Sequence, residues 1–87
     1  MTTKAPSSVK SSSEKSLERI AYASVGNIPT VEPHDRDRLG YNIWLWLTRK
    51  RDPLEFAVRT AGARLLISEE EAIGRIRESL HQQGIAM

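Results

Sequence analysis

Eighty-seven residues with a formal charge of +2 and no cysteine allow one domain at most, and exclude disulfide staples and thiolate metal sites. The core of so short a chain is small, which makes association with another chain a natural supplement to its stability. The longest uninterrupted apolar run, Ile43–Leu47, falls far short of the ~20 residues that a membrane span needs, so a membrane partner is not expected.

A sequence pI near 9.3 is compatible with binding nucleic acid or an anionic surface, but so modest a net charge does not argue for it. The signs are unevenly placed. Residues 1–13 carry Lys4 and Lys10 and no acid, whereas Glu69, Glu70 and Glu71 stand together late in the chain. No apolar segment follows the N-terminal lysines as it would in a signal peptide, and absent cysteine fits a reducing compartment; a cytoplasmic location is the expectation.

Residues 1–12, MTTKAPSSVKSS, are rich in Ser and Thr and have no apolar periodicity. They read as a disordered tail, with a targeting or secretion leader as the functional alternative. A first helix is expected over about 14–25. Ser13 serves as its N-cap, Leu17, Ile20, Ala21 and Ser24 form a narrow stripe, and Gly26-Asn27 forms the stop. Asn27–Glu32, with Pro29 inside and Pro33 after it, is an extended linker, and Ile28 and Val31 are placed to pin it to the body.

The stretch GYNIWLWLTRKRD, residues 40–52, holds both tryptophans. As a helix it must begin near His34 and end near Lys50. Pro33 then suits the first turn, Asp35 and Asp37 lie at the positive end of the helix dipole, and Arg49, Lys50 and Arg51 lie at its negative end. Leu39, Ile43, Trp46, Leu47 and Lys50 share a face, with Lys50 able to lay its stem over apolar surface. Against the helix stand Gly40 and the strand preference of Tyr, Ile and Trp, so a strand over 41–48 is the alternative. Either way, five consecutive apolar side chains leave no polar face, and a helix apolar all round must be enclosed. A second subunit or a protein partner is the implied cover.

Asp52-Pro53-Leu54-Glu55 reads as N-cap, N1 proline and a Glu at N3, a capping box with Asp in place of Ser or Thr. It opens a helix over about 53–66 with the stripe Leu54, Ala57, Val58, Ala61 and Leu65. Ala57, Ala61 and Gly62 form a flat patch for close backbone approach. Ser68-Glu69-Glu70-Glu71 is an S-x-x-E capping box opening a helix over about 69–83, with Ala72, Ile73, Ile76 and Leu80 inward and a Glu71–Arg75 pair outward. Gly84 fits the left-handed position after it, with Ile85 touching Leu80. The fold class is all-α, a small domain of about four helices.

No catalytic, cofactor or metal constellation stands out. The two histidines, His34 and His81, lie in different elements, and the neighbours in His34-Asp35-Arg36-Asp37 point different ways on a helix. No phosphate-binding Gly-rich loop is present, and no nucleophile stands at a recognisable spacing from a base. The chain reads as non-catalytic, with no cofactor.

Read as strand, helix, helix, residues 41–84 resemble the ribbon–helix–helix DNA-binding proteins. The stretch Ile76-Arg-Glu-Ser-Leu80, ending at Gly84, looks like their second helix. That resemblance implies a dimer whose paired strands enter the major groove, with the start of the second helix clamping phosphate. The sequence departs at both places. The outward strand positions would be Trp44 and Trp46 or Ile43, Leu45 and Leu47, and the second helix opens with three glutamates, which repel phosphate. The same glutamates argue against a helix-turn-helix reader.

The expected function is therefore that of a small regulatory or adaptor protein acting through protein–protein contact and pairing with itself. Its interface would centre on Ile43, Trp44, Trp46 and Leu47, with Ala61 and Gly62 permitting close approach. The alternative is a small dimeric nucleic-acid binder using Arg49, Lys50, Arg51 and Arg59. The sequence leaves the partner and the pathway open.

Overall fold

The computed structural model describes residues 16–49 and 51–85, which form four helices: α1 over 16–24, α2 Pro33–Arg49, α3 Leu54–Thr60 and α4 Glu69–Gln82. The Ser-rich tail, the proposed Ser13 cap and Lys50 lie outside the described residues. Residues 41–48 belong to α2, so the all-α expectation holds and the ribbon–helix–helix alternative is not needed.

The 17 residues of α2 are the spine of the domain. Asp35, Leu39, Ile43 and Leu47, four apart, are its buried row, and the three apolar members join the core that α2 shares with α3 and the other helices. The run Ile43–Leu47 is enclosed more fully by its own chain than its composition suggests. Ile43 and Leu47 are 0% and 4% exposed, and Trp44 and Trp46 pack in part against the same core. Gly40, which counts against a helix by propensity, has a tertiary reason. A Cβ there would lie 2.5 and 2.7 Å from Cδ1 and Cε1 of Tyr22, so the missing side chain is what lets the α1 ring press on α2. Burial raises the Tyr22 hydroxyl above its ordinary value, with Glu18, Asp37 and Tyr41 adding to the rise.

The first turn of α2 is held by a reversed cap. Pro33 occupies the first helical position, and the Asp35 carboxylate reaches back to accept from the Glu32 N–H at 3.0 Å. The same carboxylate, with its side chain 1% exposed, meets Arg64 Nε at 3.3 Å, and Arg36 Nε donates to the Ile28 carbonyl at 3.1 Å. Burial alone would raise the Asp35 carboxyl. Hydrogen bonds from Arg64 and Glu32 and the Arg64 charge outweigh it and hold the group below its ordinary value. Alongside, Thr30 and Leu65 form an isolated antiparallel bridge, with the Val31 N–H donating to the Arg64 carbonyl and the Leu66 N–H to the Pro29 carbonyl, both at 2.9 Å. Ile28 is fully buried as expected, whereas Val31, turned by this bridge, is exposed.

Helix α3 departs from its expected form at both ends. Its N-cap is Pro53 without a side-chain cap, so the expected Asp52–Glu55 capping box does not form. Glu55 instead meets Arg77 of α4 at 3.0 Å; the N–H of its own residue and the Arg77 guanidinium hold its carboxyl below the ordinary value. The helix stops at Thr60 rather than Leu66, because Gly62 turns the chain with φ +70° and Leu65 is drawn into the bridge with Thr30.

Helix α4 matches its expected cap, outward pair and stop, except that among the described residues the Glu71 carboxylate makes no capping-box bond to the Ser68 N–H. The Ser68 hydroxyl accepts from the Glu71 N–H at 3.0 Å, and Glu71 pairs with Arg75 at 2.8 Å. At the far end Gly84 takes φ +92°, the Ile85 N–H donates to the Leu80 carbonyl at 2.9 Å and the Gly84 N–H to the His81 carbonyl at 3.0 Å. That is a complete Schellman stop. Ala72, Ile73, Ile76 and Leu80 join Ala21, Val25 and Ile28 and the α2 and α3 residues in one core.

Candidate functional site

Residues 42, 45, 46 and 49 recur along α2 at helical spacing, and form a flank beside its buried row. With Phe56, Ala57 and Thr60 of α3 and with Arg51 and Asp52 of the turn, they line a groove of about 180 Å³. Two side chains fix its shape. The Trp46 Nε1–H donates to the Asp52 carbonyl at 2.6 Å, tying the end of α2 to the turn. Asn42 Nδ2 donates to the Ala57 carbonyl at 2.9 Å and to Thr60 Oγ1 at 3.1 Å, and the Thr60 hydroxyl donates to the Phe56 carbonyl at 2.8 Å. The polar end of the groove is therefore satisfied from within.

The walls are apolar. Leu45, Trp46 and Ala57 form the sides, and Phe56, 49% exposed, stands on the rim. Tyr41, one turn before Leu45 on the same flank, is 51% exposed and meets the Trp44 ring at 5.8 Å between centroids. The Trp44 Nε1–H is buried and finds no acceptor among the described residues. The two tryptophans thus differ: Trp46 has its donor satisfied and faces the groove, while Trp44 has its donor orphaned.

Charge gathers at the open end of the groove. Arg49 stabilises the α2 terminus through the helix dipole, and Arg51 and Asp52 follow in the exposed turn. Among the described residues, none of the three enters an ion pair. Arg59, Arg64, Arg75 and Arg77 are all engaged, with Glu69, Asp35, Glu71 and Glu55 respectively.

The expected site residues divide accordingly. Trp46 lines the groove, Trp44 is not among its lining residues and packs in part against the core, and Ile43 and Leu47 sit in the chain's own core. Ala61 is half-buried against that core; Gly62 lies beyond α3, with open space where a Cβ would be. The helix ends at Thr60, before the last two members of the expected Ala57–Ala61–Gly62 patch. Of the expected cationic residues, Arg49 and Arg51 meet at the groove, whereas Arg59 pairs with Glu69 at 3.6 Å. Leu45, Phe56 and Asp52 join the groove without being among the expected interface residues. For Phe56 the signal was present: a large aromatic one position off the stripe Leu54, Ala57, Val58, on the side of a helix meant for water.

Among the described residues no three His, Cys, Asp or Glu side chains gather as a metal site, and no described helix is long and apolar enough to cross a membrane. Buried Asp35 is fully engaged in joining the α2 start to Arg64. Comparison with protein-family models, with curated proteins and with solved structures finds no match to this chain.

Proposed function

We propose that this protein is a small non-catalytic regulator or adaptor of the cytoplasm that works by protein–protein contact through the α2–α3 groove. The supporting observation is a groove walled by Leu45, Trp46 and Ala57, with half-exposed Phe56 at its rim and Arg49 and Arg51 there entering no ion pair among the described residues. At about 180 Å³ it is smaller than the ~300–1,000 Å³ of small-molecule sites and of a size for one protruding side chain. Trp and Arg are the residue types that most often dominate interface energetics.

The test is site-specific photo-crosslinking in the cell of origin, with benzoyl-phenylalanine at position 56 and, as a control, at Glu70 on α4. Phe56 should give discrete protein adducts and Glu70 none. A folded Phe56 probe that gives no adduct overturns the reading.

Nucleic-acid binding is the second reading, favoured by the two groove cations, Arg49 and Arg51, which enter no ion pair among the described residues. The Asp52 carboxylate beside them, and Arg59 already held by Glu69, weaken it. Duplex DNA across a salt series decides, because phosphate contacts are strongest at low salt. No affinity there removes it.

A further inference from the structure

We infer that the occupant of the α2–α3 groove is a second copy of this chain, docked about a two-fold axis. This rests on the protein-contact reading above. A two-fold interface places the same patch on both sides, so the patch must be complementary to itself. A groove with a purely cationic rim would repel its copy. Here Arg49 and Arg51 stand beside Asp52, and among the described residues none of these charges is neutralised within the chain. Both signs needed for reciprocal pairing are thus present on one short turn.

The apolar part of the patch has the same property. It carries a recess, between Leu45, Trp46 and Ala57, and beside it a projecting ring, Phe56 at 49% exposure. Two-fold docking lets Phe56 of each copy enter the recess of the other, while Arg51 meets Asp52 of the partner subunit twice, once on each side of the axis. The hydrogen bond from Trp46 to the Asp52 carbonyl holds the turn in place before docking, so less order is lost on binding. Tyr41, on the same flank of α2, extends the apolar contact.

The experiment is sedimentation velocity on the full chain over a micromolar-to-millimolar series, with circular dichroism confirming that each variant is folded. Wild type should dimerise reversibly, and Glu70→Ala should match it. Phe56→Asp should be monomeric. Arg51→Asp and Asp52→Arg should each weaken the dimer about tenfold or more, since each sets like charges face to face. Mixing those two variants should restore dimer as a one-to-one heterodimer, because both pairs then regain opposite signs. A wild type that stays monomeric throughout overturns the inference, as does a dimer indifferent to the Phe56 and charge changes. The mass of the Phe56 photo-adduct separates the two readings: twice the chain means self-pairing, any other mass means a different protein, and no adduct removes both.

Discussion

At its first turn α2 is bound into the domain by polar groups of its own chain, whereas its last turn presents to solvent an apolar flank and charges that enter no ion pair among the described residues. Near Pro33, Asp35 accepts from Glu32 and Arg64, Arg36 holds the Ile28 carbonyl, and a backbone bridge runs alongside. Near Arg49, the internal bonds from Trp46 and Asn42 shape a groove but leave Leu45, Phe56, Arg49, Arg51 and Asp52 with work still available to them. One helix thus carries a self-sufficient end that positions it and an open end that can meet something else. Substitutions at the first should cost stability; those at the second should change association while sparing the fold.

The largest loss should come from Asp35→Ala, which removes a fully buried acceptor and leaves Glu32 and Arg64 unanswered. Thermal unfolding should show the greatest drop of any single change described here. Asp35→Asn keeps an acceptor and should lose less. The wild-type carboxyl is depressed in the folded state, so the unfolded chain takes up its proton first as pH falls. The stabilisation is therefore complete above the ordinary value of 3.8 and is lost progressively below it. Acid titration of the unfolding midpoint should show that limb in wild type and a shallower one in Asp35→Asn.

Next is Gly40→Ala. Crowding against Tyr22 should cost about 1–3 kcal/mol, offset by ~1 kcal/mol of helix propensity. Urea unfolding measures the net, and pairing it with Tyr22→Ala should recover the propensity gain; additivity of the two changes would refute the contact.

Smaller still are the tryptophans. Trp46→Phe deletes the bond to the Asp52 carbonyl and should cost about 1 kcal/mol, while loosening the turn that holds Arg51 and Asp52. Trp44→Phe removes a donor with no acceptor among the described residues, and should shift stability by less than about 1 kcal/mol, in either direction. Equal costs at positions 44 and 46 would erase the distinction drawn between them.

How much of this was legible depended on whether the signal was local. Helix α4 announces itself through Ser68 and Gly84, which act as expected within a turn of each residue. The Glu71 carboxylate pairs with Arg75 and, among the described residues, does not return the capping-box bond to the Ser68 N–H. Helix α3 was overextended because Ala61 and Leu65 continue its stripe, while the reasons they leave it, the Gly62 turn and the Thr30 bridge, involve a conformation and a partner that spacing does not encode. Glu55 was assigned to a cap next door and went instead to Arg77, 22 residues away. Gly40 looked like a flaw until Tyr22 arrived from another helix. For the site, Trp46 and the arginines were conspicuous by type. Ile43 and Leu47, expected at an interface, lie in the buried row through Asp35 and Leu39, whose register only the packed helix reveals.

The Thr30–Leu65 bridge has a consequence for how the chain comes apart. By fastening the segment before α2 to the segment after α3, it closes residues 30–65 into a ring, and α1 and α4 are attached outside that clasp. The two crossings therefore share one fate. The amides of Val31 and Leu66 must be surrendered to deuterium in step, and lengthening either connecting segment slackens the other.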